Sequence, residues 1–204
     1  MIEGETHECR VQGNSLQHII FTAVSKPFDL EKECWYIDGS SYYKDGNRIS
    51  GFAGVCVKDG GVQRQFSYSC RARSAQYVEI AVFLQVLIEL RDDGGIVNIA
   101  SDSDQVCKGA VVYLSWWNVM GFKGTDGSEI RYASLWKMIE EETQFFSKIS
   151  IRKVQAHRKQ TTEHYWNNTV DRLAKEAAVT SPEWPHIEHT LSFPVSALTR
   201  AQAK

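Results

Sequence analysis

The 204-residue sequence predicts a single α/β domain, a mixed five-stranded sheet flanked by helices. Its length suits one buried core. Three strand-like stretches, rich in aromatic and β-branched residues and split by turn residues, come first. Segments of helical and strand period then alternate, the order expected of a sheet that gains parallel strands beneath helices.

Residues 1–32 are polar and weakly periodic, and they read as an N-terminal, connection-like tail. Cys34–Tyr43 and Gly51–Val57 are two strands joined through Lys44-Asp45-Gly46-Asn47, and Val62–Cys70 follows Asp59-Gly60-Gly61 to complete an antiparallel meander. From Ser74 the period becomes helical, with Ile80, Phe83, Leu84, Leu87 and Ile88 on one stripe that stops at Asp92-Asp93-Gly94-Gly95. Ile96–Ser101 is a short buried strand. A helical stretch near Ser103–Trp116 leads into a loop marked by Gly121, Gly124 and Gly127. Ser134–Phe146 is helical, Ile149–Ala156 is a strand, and Val170, Leu173, Ala174, Ala177 and Ala178 stripe a last helix. The domain is thus expected over residues 33–180, with a C-terminal linker over 181–204 that contains Pro182, Pro185 and Pro194.

Hydrophobic residues make up 43% and charged residues 24%, with a net charge of −2, which argues against a disordered or membrane protein. The same charge is low for a phosphate binder, so basic residues must cluster locally. The apolar run from His18 to Val24 is too short to span a membrane and lacks a signal-cleavage pattern. Five cysteines, widely spaced and with no CxxC pair, read as free thiols of a reducing compartment. The expected location is therefore inside the cell, in cytoplasm or nucleus, or in a virion, and the sequon at Asn167-Asn168-Thr169 is not expected to be glycosylated.

Asp38 interrupts a stretch of strong strand propensity, where Asp is disfavoured. Asp102 leaves the C-terminal end of Ile96–Ala100, a common place for ligand sites. Glu79 and Asp171 each border the buried stripe of a helix. Taken singly, each also fits a solvent-facing or boundary position. Taken together they are an oxygen-rich set suited to a hard divalent cation, and two ions about 4 Å apart could activate a water and stabilise a leaving 3′ oxygen.

Four ordered segments carry a resemblance: Trp35-Tyr36-Ile37-Asp38-Gly39-Ser40-Ser41, Ser74-Ala75-Gln76-Tyr77-Val78-Glu79-Ile80, Ser101-Asp102-Ser103, and Asn168-Thr169-Val170-Asp171-Arg172-Leu173-Ala174. From about Glu33 to Val179 the chain resembles type 1 ribonuclease H domains, most of all those of gammaretrovirus-like or endogenous retroviral Pol proteins. The resemblance implies the ribonuclease H-like fold and a metal-dependent endoribonuclease that cuts the RNA strand of an RNA/DNA hybrid. It implies Asp38, Glu79, Asp102 and Asp171 as ligands of two Mg²⁺ ions, for which Mn²⁺ can substitute, and His157 as a catalytic histidine. Ala156 stands where the family usually has glycine. The resemblance also implies substrate contacts at Gly39, Ser40, Ser74 and Gln76, and at Trp117, Phe122 and Lys123 of a protrusion. There Asn118 and Val119 replace the lysines of cellular members, which predicts weak hybrid binding. Ser74 reads equally as a helix N-cap, and His164 as a surface residue. His7-Glu8-Cys9 and Leu198-Thr199-Arg200-Ala201-Gln202 resemble the flanks of a Pol domain, so a reverse-transcriptase polymerase domain in cis is an expected partner, and a membrane is not.

Two other readings stay open from sequence. One is a non-catalytic nucleic-acid or protein-binding module on the same fold. The other is an integrase or resolvase of the same superfold, against which the position of Glu79 before Asp102 speaks, since integrases place their glutamate last.

Overall fold

Strand alternation sorts the core onto two faces of one sheet. The computed structural model describes residues 20–155 and 161–187. Its elements are β1 (Phe21–Val24), β2 (Cys34–Lys44), β3 (Asn47–Lys58), β4 (Gly61–Ser69), α1 (Ala75–Leu90), β5 (Gly95–Ser101), α2 (Asp104–Lys108), a π-helical turn (Gly109–Tyr113), α3 (Leu114–Val119), α4 (Ala133–Thr143), β6 (Phe146–Lys153) and α5 (Thr162–Thr180). Trp35 and Ile37 point into the larger apolar cluster with α1 and α4, while Cys34 and Tyr36 point into a smaller one with Trp166 and Val170 of α5. Helices therefore cover both faces.

The sheet runs β1-β6-β5-β2-β3-β4. β2, β3 and β4 are antiparallel, and β2, β5, β6 and β1 are mutually parallel neighbours. This is the mixed sheet expected from sequence, with one correction: it has six strands, not five. The sixth lies within the expected tail, where Phe21–Val24 pairs with Ile149–Arg152. Four residues give too few alternations for a period-2 signal, and pairing to β6 supplies what local sequence does not.

Two further differences concern expected boundaries. Within the expected linker, Trp184 is fully buried, its Nε1–H donating to Gln85 Oε1 at 2.8 Å and its ring edge-on to Phe52. The backbone there also bonds Ser69, whose N–H donates to the Pro182 carbonyl and whose carbonyl accepts from Trp184 N–H, so this segment caps the last residue of the β4 edge. The helix expected near Ser103–Trp116 is three pieces, because the π turn inserts an extra residue per turn and resets the helical phase. His157 and both flanking motifs lie outside the described residues.

Candidate active site

Parallel pairing of β2 with β5 matches Tyr36 to Ala100, so two residues further along each strand Asp38 and Asp102 come side by side at the same sheet end. Both share the α5 face with Tyr36 and Ala100. Asp171 reaches them from α5, which packs tightly on β3: a Cβ on Gly51 would lie 2.4 Å from Ala178 N. Glu79 arrives from the opposite face, and Gly39 permits it. A Cβ there would sit 2.7 Å from Glu79 N and from Val78 C, so only glycine lets α1 settle this close beside Asp38.

The electrostatics record the convergence. Burial pushes the Asp38 carboxyl up to about 7, reinforced by Asp102, Asp171 and Glu79 and opposed by the Gly39 N–H. Glu79 is raised by burial and by Asp102, and lowered by the Ser103 hydroxyl and the Lys153 ammonium. Each carboxylate is gripped by a donor of the chain. Gly39 N–H donates to Asp38 Oδ1 at 2.7 Å, Ser103 Oγ–H to Glu79 Oε2 at 2.6 Å, Asn167 Nδ2–H to Asp102 Oδ2 at 3.1 Å, and Lys175 Nζ to Asp171 Oδ2 at 2.7 Å. Among the described residues, no three carboxylate, thiol or imidazole groups are drawn in closely enough to cage an ion as they stand. Like charges at close range repel unless a proton or a cation sits among them.

The donor set nonetheless fits a hard cation. All its side-chain oxygens are carboxylate, and beside Asp102 the buried Oδ1 of Asn167 has no hydrogen-bond partner. From sequence Asn167 reads only as part of a sequon, although its place four residues before Asp171 sets both on one helix face.

The expected substrate residues fall into two groups. Ser74 caps α1, its Oγ accepting from Tyr77 N–H at 3.2 Å, and it lies 2.6 Å from the Tyr132 hydroxyl. Arg73 and Arg131 stack over the rings of Tyr77 and Tyr132, the two residues that bond that serine. Gln76 is exposed one turn from Glu79, while Gly39 and Ser40 follow Asp38 in β2, Gly39 packed against α1 and Ser40 buried. In the protrusion, Phe122 is only 6% exposed and joins the core. Trp117 is half-buried between Tyr113 and Trp136, and Lys123 is exposed. The aromatic faces open to solvent are instead Tyr113 and Trp116, beside Val112, Val119 and Met120. Asn118 is tied to Glu140, its Nδ2–H donating at 2.7 Å. His164 bridges the Gln155 carbonyl and the Thr161 hydroxyl, at 2.7 Å each.

Residues 31–179 match the family model described as RNase H. The chain belongs to the RNase H family. That membership sets its enzyme class as ribonuclease H. Among curated relatives, a Pro-Pol polyprotein of feline foamy virus is 30% identical over 153 residues, covering 71% of this chain and 13% of the polyprotein. The chain thus spans only a small part of that relative's length. Ribonuclease HI of Vibrio cholerae serotype O1 is 24% identical over 143 residues, 70% of this chain and 86% of the enzyme. Among solved structures, the solution structure of the PFV RNase H domain superposes with a TM-score of 0.65 at 23% identity, covering 72% of this chain and 93% of that one. The foamy viral protease-reverse transcriptase in complex with RNA/DNA hybrid gives 0.65 at 22%, covering 88% of this chain and 22% of that one. These likenesses show the ribonuclease H fold.

Proposed function

We propose that the chain hydrolyses the RNA strand of an RNA/DNA hybrid at the carboxylate end of its sheet, leaving 5′-phosphate and 3′-hydroxyl ends. The observation that carries this reading is the convergence of Asp38, Glu79, Asp102 and Asp171, with the Asp38 carboxyl pushed up to about 7 by burial and by the other three. Divalent cations, Mg²⁺ or Mn²⁺, bound to these carboxylates would supply an activated water and charge stabilisation at the leaving oxygen. The protein's own part is to hold the ligands. Ser103 and Asn167 fix Glu79 and Asp102, and Gly39 sets Asp38 against α1. His157 is assigned to proton transfer or product release on the resemblance.

Substrate discrimination follows from the surface around the centre. Ser74, with Arg73 and Arg131 stacked on its two tyrosine partners, suits a backbone phosphate at the start of α1. The exposed amide of Gln76 suits the minor groove, where ribose 2′-hydroxyls distinguish RNA from DNA. Tyr113, at the end of the π turn, and Trp116 of α3 are exposed and suit stacking or apolar contact with the second strand. The viral relative supports a retroviral or host-adopted retroviral origin with a polymerase domain in cis, and the free thiols of Cys34, Cys56, Cys70 and Cys107 suit work inside a cell or virion. Among the described residues no helix is long and apolar enough to cross a membrane.

The test is cleavage of end-labelled RNA/DNA hybrid, duplex DNA and single-stranded RNA in Mg²⁺ and Mn²⁺. Internal cuts confined to the RNA of the hybrid are expected. Efficient cutting of duplex DNA, or no cutting of hybrid in either metal, refutes the reading.

A further inference from the structure

Beside the carboxylates stands a cation that none of the roles above employs. Lys153 ends β6 and pairs in register with Ser101, which ends β5 and leads into Asp102. Its Nζ reaches across to the turn, donates to the main-chain carbonyl of Asp102 and lies 3.5 Å from Oδ1 of Asp104. Lys108, one turn further along α2, lies 3.7 Å from the other oxygen of Asp104. Two ammonium groups thus draw Asp104 outward, and its side chain is 66% exposed although it lies two residues from Asp102.

From this geometry we propose that Lys153 is a positioning residue of the metal centre: it fixes the turn that presents Asp102 and holds Asp104 out of the carboxylate set. The metal half of this inference rests on the function proposed above. A fifth carboxylate this close would compete for a hard cation, because such ions accept any well-placed anionic oxygen. An ion captured by Asp104 would sit at the mouth of the site, away from Asp38 and Asp171. Exposed pairs at this distance add little to folding stability, so the role of Lys153 is expected in local geometry and metal binding rather than in global melting. Arginine can satisfy both acceptors as lysine does. Methionine satisfies neither.

The experiment compares wild type, Lys153→Met, Lys153→Arg and Lys153→Met/Asp104→Asn. In metal-free protein, amide exchange at Ser103–Val106 is expected to speed by about tenfold or more in Lys153→Met and to stay near wild type in Lys153→Arg. Mg²⁺ titrated by calorimetry is expected to bind roughly threefold more tightly to Lys153→Met, which has lost a cation and released a carboxylate. On hybrid, kcat is expected to fall about tenfold with KM within about twofold, and the added Asp104→Asn to restore most of it. Unchanged exchange in Lys153→Met, or a double variant as slow as Lys153→Met, overturns the proposal. A wild type that neither binds Mg²⁺ nor cuts hybrid refutes the metal reading in the wild type alone; the exchange comparison then still decides whether Lys153 holds the turn.

Discussion

The carboxylate end of the sheet and the segment from Tyr113 to Ile130 are both rich in residues that sequence reading assigns to function, yet the structure treats them differently. At the sheet end each side chain is placed by pairing and packing: Asp38 and Asp102 by strand register, Glu79 by the close approach at Gly39, and Asp171 by that at Gly51. In the protrusion, position depends on the phase of short helices and one loop. Phe122 turns into the core, and Trp116 rather than Trp117 faces solvent. Residues fixed by long-range pairing keep the face that a local pattern assigns them, whereas in a short helix an error of one residue rotates the side chain by about 100°.

The largest expected effect sharpens the first half of that contrast. Asp38→Asn is expected to lower hybrid cleavage by about a thousandfold or more, the scale of losing a metal ligand worth several kcal/mol at the reacting oxygens. Circular dichroism should be unchanged. A folded Asp38→Asn protein with undiminished cleavage breaks the assignment.

The next effect is on stability. The Asp38 pKa rises from its ordinary 3.8 to about 7 on folding, so between these values the folded chain holds a proton that the unfolded chain has released. Stability of the metal-free protein is therefore greatest below about pH 4 as far as this group is concerned, and it declines as pH rises toward 7. The loss is at most on the order of 4 kcal/mol, from the shift alone. Denaturant titrations at pH 5 and pH 8 should show the decline in wild type and much less of it in Asp38→Asn. Equal slopes in the two proteins would remove Asp38 from the buried cluster.

In the protrusion, the two adjacent tryptophans should separate structure from binding. Trp117→Ala, which strips a ring packed on Trp136, is expected to cost about 3 kcal/mol of stability. Trp116→Ala, 45% exposed, should leave melting nearly unchanged and weaken hybrid binding by about 1–2 kcal/mol. The reverse pattern would mean that Trp117, not Trp116, meets the hybrid.

The smallest effect concerns charge. Asn118→Lys with Val119→Lys should raise hybrid affinity and steepen its salt dependence by about one unit of slope rather than two, because a lysine at 118 would face Glu140 while position 119 is 79% exposed. No change in slope would exclude this face from substrate contact.

What sequence conveys follows the same division. The mixed sheet and its carboxylates are legible because Asp38 violates strand propensity and because register carries each residue to its place. β1 and the buried Trp184 are not legible, since each depends on partners distant in sequence, β6 in one case and Gln85 with Phe52 in the other. The roles of Ser103, Asn167 and Lys153 toward the carboxylates are not legible, because a polar residue near a strand or helix end is ordinary until its partner is known.

The most direct test of the central claim is the place where a divalent ion binds. In isotope-labelled protein titrated with Mn²⁺, amide signals of Asp38, Gly39, Glu79, Asp102, Ser103 and Asp171 are expected to broaden first, while those of Tyr113–Val119 stay sharp. First broadening at another acidic site such as Asp92-Asp93, or none at the sheet end, would contradict the account.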